Sequence, residues 1–393
     1  MMDMIPFEDA LRIAMQNASL GSVEVVGFEE VVGRVLASPI FCDMDLPPFD
    51  KSAMDGFACR REDLNREMRC VMVIPAGTKP DRAIGPGECA RIMTGSIVPD
   101  GADVVIRVED SSMIGDLVTF TASKTASNIC YQGEDAHSGD QILESGTLLT
   151  SRHVPILASV GAVNVEVYLL PQISLLSTGT ELVEPHLKPE VSQIRNSNAY
   201  QMVAQLNAMG IDPDYYGIAP DNEETTRQMI EEALENSDIL ILTGGVSMGE
   251  FDFVPRTLES LGVHFHFTRV AIQLGKPTHF GSGNGKFVFG LPGNPVSSYL
   301  TFEMLAKPFI YKCMGYDWTP RIIPLKLGAD ISRKKTDRMA SLPIRIGADG
   351  CAYPLEYHGS AHLLALSQAD GYISLPIGCS NLKNGSSIDV RLF

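Results

Sequence analysis

The chain lacks any apolar run of about 18 residues, the length a helix needs to cross a bilayer, which speaks against a membrane span. It lacks a basic start. Met1–Asp9 carries acids and no Lys or Arg, so no secretory signal is expected. Positive charge is scarce: 31 Lys and Arg stand against 48 Asp and Glu, for a net charge of −17. A nucleic-acid binder would show a basic face, so that class is disfavoured, and the acidity reads as solubility. No two of the eight cysteines form a C-x-x-C pair, which speaks against a zinc ribbon or a thioredoxin-type pair and suits reduced thiols in a cytoplasmic protein. There is no fixed-period repeat and no low-complexity tract. Nor is there a G-x-G-x-x-G after a strand or a P-loop. Gly275-Lys276-Pro277 lacks the upstream glycine, and Pro277 bars the helix a P-loop needs.

What is present is a globular composition, 45% hydrophobic and 20% charged, over 393 residues, too many for one ordinary core. The stretch around which the rest is organised is Ile239–Asp252, ILILTGGVSMGEFD. An apolar run without alternation predicts a strand buried on both faces. Gly244-Gly245 allow a sharp turn and close approach of backbone N–H groups to a ligand. Phe287–Gly290 runs in the same way into Leu291-Pro292-Gly293-Asn294-Pro295, and a helical pattern follows over Pro295–Met314. Strands at Ile173–Ser177 and Tyr215–Ala219 and helices at Asn196–Met209, Glu223–Glu235 and Phe253–Leu261 complete a doubly wound α/β domain. Upstream, Pro6–Ala18 and Thr150–Gly161 read as helices, the latter with Ser151 as N-cap, and residues 69–123 read as β-rich. Pro324–Leu392, with short alternating runs and many Gly and Pro, reads as a small β-barrel or sandwich.

Four loops leave the carboxyl ends of the α/β strands. They carry Thr178–Glu181, Asp221, Gly244–Asp252 and Pro292–Pro295. Open α/β sheets bind ligands along that edge. Asp221 could instead be only the N-cap of the helix at Glu223. Glycine loops supply N–H donors for an oxyanion, while Glu181, Asp221 and Asp252 would repel it unless a cation sat between. Carboxylates with phosphate oxygens and water make a Mg²⁺ site, and Arg195, Arg269 and Lys276 can neutralise what remains. The expected ligand is a phosphorylated small molecule with a divalent metal, and the expected chemistry is at a phosphoanhydride. Gly245-Val246-Ser247-Met248-Gly249 also fits the nucleophile elbow G-x-S-x-G. A serine hydrolase is disfavoured because Asp252 lies too near Ser247, and His264 and His266 look like residues on one face of a strand.

Six motifs in order carry a family resemblance: LPPFDKSAMDGFA (Leu46–Ala58), RIMTGSIVPDGADVVIRVED (Arg91–Asp110), STGTEL (Ser177–Leu182), TGGVSMGEFDFV (Thr243–Val254), LGKPTHFG (Leu274–Gly281) and GLPGNPVSS (Gly290–Ser298). The chain resembles the molybdopterin molybdenumtransferases, the MoeA family, to which the E domain of gephyrin belongs. The resemblance implies a multidomain α/β and β fold. Its parts are an elongated discontinuous domain (1–42 and 137–170), an inserted β-rich domain (43–136), a doubly wound α/β molybdopterin-binding domain (171–316) and a C-terminal β-barrel (317–393). It implies a homodimer whose site pairs the α/β domain of one subunit with the inserted domain of the other, and a molybdopterin adenylyltransferase as a further partner. The implied reaction inserts molybdate into adenylylated molybdopterin, with Mg²⁺ assisting and AMP leaving. Carried over position by position, the catalytic residues are Asp55, Thr94, Asp135, Glu181, Asp221, Asp252, Lys276 and Ser360, with Glu181, Asp221 and Asp252 on the metal. The substrate would be held by Thr178, Gly179, Gly244, Gly245, Ser247, Gly249, Arg269, Pro292, Gly293, Asn294 and Pro295. Arg269 and Gln273 stand where better-studied members tend to carry lysines, so one charge is kept and one is lost. A molybdopterin adenylyltransferase and a non-catalytic scaffold on the same fold are the rival readings.

Overall fold

The computed structural model describes residues 4–220, 222–245, 254–355 and 363–393. The chain forms two compact units, one of Met1–Ala37, Gly146–Ser151 and Asn164–Phe393, the other of Ser38–Ser145 and Arg152–Val163.

The first unit is built on a six-stranded sheet of β1 (Ile173–Thr178), β2 (Asp214–Ala219), β3 (Ile239–Thr243), β4 (His264–Phe267), β5 (His279–Gly283) and β6 (Lys286–Leu291), in the order β2-β1-β3-β6-β5-β4. β2, β1, β3 and β6 run parallel, and β5 is antiparallel to both β6 and β4. Every position of β1 and β3 is buried, as strands covered on both faces must be. On one face Leu175, Ile241 and Phe289 pack against Met202 and Leu206 of helix α1 (Asn198–Asn207) and against Val296 and Leu300 of α4 (Pro295–Thr301). On the other, Leu176, Leu240 and Val288 meet Ile230 of α2 (Glu223–Glu235) and Leu258 of α3 (Val254–Ser260).

The single helix expected over Pro295–Met314 is interrupted. After α4 the chain widens into a π turn over Phe302–Ala306 before α5 (Lys307–Cys313). Pro308 has no N–H for the carbonyl four residues back and its ring would collide with that carbonyl, so a wider turn relieves both.

Two other parts of this unit matter less to the site. A two-stranded ribbon pairs Val23–Gly27 with Asn164–Tyr168, bringing distant pieces of chain together. At the C-terminus β7 (Ile322–Leu327), β8 (Met339–Ile346), β9 (Cys351–Pro354), β10 (Gly371–Leu375) and β11 (Ser387–Leu392) close into a barrel, because β8 pairs with both β9 and β10. Ile344, Ala352, Ile373 and Val390 fill it.

The second unit holds a six-stranded mixed sheet in which Gly56–Cys59, the second strand from one edge, pairs with Glu88–Ile92 on its inner side and with the edge strand Val104–Arg107 on the other. Phe57, Met68 and Ile106 fill one face, and Ala58, Ile74 and Ile92 the other. The helix expected at Thr150–Gly161 is shorter, Val154–Ser159, and His153 rather than Ser151 occupies the cap position. Pro155 explains the late start, since proline is accommodated in a first turn.

Candidate functional site

The parallel register places the ends of β1, β2, β3 and β6 on one edge. Thr178 lies beside Ala219, and Thr243 beside both Ser177 and Leu291. The chain must turn away at each of these ends. At Gly244 and Gly245 it does so with φ of +78° and +58°. A Cβ on Gly244 would lie 2.5 Å from the Thr178 carbonyl oxygen, and one on Gly245 only 2.3 Å from Thr178 Oγ1. Both positions therefore require glycine for conformation and for space. Gly244 N–H donates to the Leu291 carbonyl at 3.3 Å, and Asn198 Nδ2 donates to the Gly293 carbonyl at 2.8 Å, fixing the Pro292–Pro295 turn. Gly293 and Asn294 are exposed, while Pro292 is buried. Thr178 Oγ1 is buried and has no hydrogen-bond partner among the described residues.

The exposed Glu181 carboxylate folds back over Gly179, with its oxygens 2.6 and 2.8 Å from where a Cβ on that glycine would be. The basic segment reaches the same edge. β4 ends there, β5 begins there with His279 opposite Gly290, and Arg269–Pro277 joins them. Lys276 is exposed and Arg269 half-buried. No carboxylate lies within ion-pair distance of either among the described residues. Within this segment Leu274 takes a φ of +72°, a costly conformation for a side chain with a Cβ. Thr278 Oγ1, donating to the Gly275 carbonyl at 2.6 Å, helps hold it.

The second unit carries its own cluster. Gly56 pairs with Ile92 at the ends of antiparallel strands, so Asp55 and Thr94 fall just beyond the ladder. Asp55 Oδ1 accepts from Thr94 N–H at 2.7 Å and from Thr94 Oγ1 at 2.8 Å. These two bonds, the backbone one first, hold the Asp55 carboxyl below its ordinary pKa. Ser52 exchanges backbone bonds with Gly95 and Ser96, and Lys51 pairs with Cys130. Asp50 accepts from Gln132 N–H at 2.8 Å. The turn before Asp135 is thereby tied to the Asp55 stretch. Asp135 is exposed and borders an open cavity of about 630 Å³ with Pro47, Pro48, Lys51, Cys130 and Glu134. Burial and Glu134 push the Cys130 thiol up, which keeps it protonated rather than nucleophilic.

Three protein-family models match the chain in order: the MoeA N-terminal region (domain I and II) over residues 5–161, a probable molybdopterin binding domain over 174–312, and the MoeA C-terminal region (domain IV) over 324–393. Molybdopterin molybdenumtransferase of Staphylococcus aureus strain Mu50 is 32% identical over 402 aligned residues, covering 99% of this chain and 95% of that protein. The chain belongs to the MoeA family of molybdopterin molybdenumtransferases. Members of that family are transferases of molybdenum cofactor biosynthesis. The Staphylococcus epidermidis strain RP62A enzyme of the same name is 34% identical, with 97% and 93% coverage. A crystal structure of the MoeA protein from Pyrococcus horikoshii OT3 superposes with a TM-score of 0.85 over the whole of both chains at 27% identity.

Within this MoeA fold the structure gathers Thr178, Gly179, Glu181, Gly244, Gly245, Arg269, Lys276 and Pro292–Pro295 on one sheet edge, and ties Asp55, Thr94 and the Asp135 turn together in the other unit. Asp221, Ser247, Gly249, Asp252 and Ser360 lie outside the described residues. Asn222 fills the N-cap of α2, its side chain accepting from Thr225 N–H at 2.9 Å. The capping role considered for Asp221 is thus taken by its neighbour. The hydrolase alternative loses ground. His264 and His266 sit on β4, three strands from β3 and so roughly 14 Å away at ordinary strand spacing. His266 Nε2 is engaged with Ser282 Oγ at 2.8 Å.

Among the described residues no group of three or more His, Cys, Asp or Glu could hold a metal. Glu181 is the one expected metal ligand described, an exposed oxygen donor. Mg²⁺ is commonly held by one or two carboxylates together with substrate phosphates and water, so this donor fits it.

Sequence reasoning missed the polar layer under the rim. Ser177 Oγ and Thr243 Oγ1 are 3.0 Å apart, and Asn196 Nδ2 donates to Ser177 Oγ at 3.0 Å and to Tyr215 Oη at 2.8 Å. Ser177 and Thr243 stand inside quoted motifs, whereas Tyr215 had no motif to mark it.

Proposed function

We propose that the chain inserts molybdate into adenylylated molybdopterin with release of AMP, acting as a Mg²⁺-dependent homodimer. The observation that carries this reading is the meeting of glycine turns, an acidic side chain and two basic side chains, neither of them ion-paired among the described residues, along one sheet edge. Backbone N–H groups at Gly245 and Gly293–Asn294 would donate to the phosphate oxygens of the substrate, while those of Gly179 and Gly244 are spent on the Ala219 and Leu291 carbonyls and hold the turns in place. Arg269 and Lys276 would balance the anionic charge of pyrophosphate or molybdate. Glu181, with Asp221 and Asp252, would hold Mg²⁺, which when bound neutralises charge developing at the anhydride. Thr178 Oγ1, buried and unpartnered among the described residues, would take a bond from or to the bound pterin. The leaving AMP needs charge balance and orientation rather than a covalent nucleophile.

Asp55, Thr94, Asp135 and Ser360 belong to the same proposal. Asp55, Thr94 and Asp135 sit in the other compact unit, which suits a site completed by the inserted domain (43–136) of a second subunit. The four-domain division, the cytoplasmic location and a molybdopterin adenylyltransferase supplying the substrate complete the reading. The test is incubation of the protein with adenylylated molybdopterin, molybdate and Mg²⁺. AMP and active cofactor are expected; pyrophosphate formed from ATP and molybdopterin instead would identify the adenylyltransferase, and no turnover would identify a scaffold. The shared site is tested by mixing Asp55→Ala with Glu181→Gln subunits after exchange has been verified. Activity should return in the mixture, and a mixture as inactive as its parents removes the intersubunit site.

A further inference from the structure

The loop that follows Glu181 is tied to itself at its ends. Leu182–Val183 pairs in parallel with Ile194–Arg195, and Ile194 N–H donates to the Glu181 carbonyl at 2.7 Å. Its side-chain anchorage to the α/β core runs through Glu184. Tyr215 Oη, on β2, donates to Glu184 Oε1 at 2.8 Å, and Tyr200 Oη, on α1, donates to Glu184 Oε2 at 2.8 Å. The two rings meet edge to face with centroids 5.8 Å apart. From Tyr215 the chain of bonds continues through Asn196 to Ser177 and Thr243, the residues immediately before Thr178 and Gly244. Every link lies within one compact unit.

We propose that Glu184 is a positioning residue: clamped by Tyr200 and Tyr215, it sets where the Glu181 carboxylate stands relative to the Gly244–Gly245 turn. The proposal rests on the reading of the rim as the Mg²⁺ and phosphate site. Its chemistry is specific. A carboxylate has acceptors enough for both phenol hydroxyls. Burial, and then Glu184 itself, push the Tyr215 hydroxyl well above its usual pKa, so it remains a donor. Tyr215 Oη spends its acceptor side on Asn196, and its single proton on Glu184. An amide at position 184 keeps both contacts, because its oxygen can accept from Tyr215 and its NH₂ can donate to Tyr200 Oη. An alanine keeps neither.

The test uses the full chain as Glu184→Ala, Glu184→Gln, Tyr215→Phe and Tyr200→Phe, with Glu181→Gln alongside. Mn²⁺ binding, followed by electron paramagnetic resonance without pterin, reports on the metal site. Hydrogen exchange at the Ile194 and Asn196 amides reports on the loop. Glu184→Ala and Tyr215→Phe should weaken Mn²⁺ binding about tenfold and speed that exchange at least as much, as expected when one to two charge-assisted bonds are lost. Glu184→Gln should restore both to within about threefold of the wild type, and Tyr200→Phe should fall between. If Glu181→Gln weakens Mn²⁺ binding and Glu184→Ala does not, the positioning role is wrong and the rim reading stands. If Glu181→Gln itself leaves Mn²⁺ binding unchanged, the rim reading fails and takes this proposal with it. Should Glu184→Ala fail to fold, Tyr215→Phe, which keeps the ring, decides in its place.

Discussion

Along the sheet edge, room for a ligand is made by leaving side chains out. Gly244 and Gly245 sit at positive φ against Thr178 with no space for a Cβ. In the other unit the opposite holds. Asp55 is exposed, and its place and charge come from two bonds donated by Thr94. One region is shaped by backbone and so is sensitive to added atoms. The other is a single charged group and so is sensitive to deletion or to changed protonation. A rigid parallel sheet can hold backbone donors in place from beneath, whereas a loop beyond a ladder must lock a side chain with its neighbours.

The contrast can be broken most forcefully at Gly245. Gly245→Ala would force a Cβ onto Thr178 Oγ1, and displacement of the turn by about 1 Å is expected to cost roughly 100-fold or more in AMP release. The double change with Thr178→Ala should recover part of this; no recovery would mean that backbone strain at φ +58° dominates. Next comes Asp55→Ala, expected to lower turnover roughly 30-fold, as for loss of one charged contact, with the thermal midpoint nearly unchanged because the group is exposed. A large fall in the midpoint would make Asp55 structural.

Thr94→Val sharpens the comparison through pH. Asp55 has a lowered folded-state pKa. Whatever stability it contributes is present above the ordinary aspartate value of about 3.9 and is lost as pH falls through the lower folded value. Thr94→Val removes the hydroxyl bond and keeps the backbone one, so the Asp55 pKa should rise toward its ordinary value in a carboxyl-carbon NMR titration, and turnover at neutral pH should fall about fivefold. The smallest effect is expected at Gly293, where a Cβ would meet nothing closer than Gly244 Cα at 3.7 Å. Gly293→Ala should stay within about twofold in AMP release. A severe loss would show that this turn, too, depends on absent atoms.

How legible each region was follows from the same contrast. The rim could be read because buried apolar runs ending in Thr-Gly or Pro-Gly announce strands and turns, and parallel topology then puts their ends together. The Asp55–Thr94 pair came through the family motifs, since nothing local to Ser-Ala-Met-Asp-Gly states which residue will face it. Local reading failed where a distant or competing constraint decided. Pro308 widened a helix that periodicity had drawn as continuous, and Pro155 delayed one that Ser151 was expected to cap. The Glu184 clamp escaped because its tyrosines come from a helix and a strand brought together only by the fold.

The Asn222 cap has a practical consequence for experiments on its neighbour. Since Asn222 already discharges the duty of starting α2, an exchange at Asp221 leaves that capping bond in place. Kinetic damage caused by Asp221→Asn with an unchanged thermal midpoint can be interpreted as lost chemistry, and silence there would be equally informative.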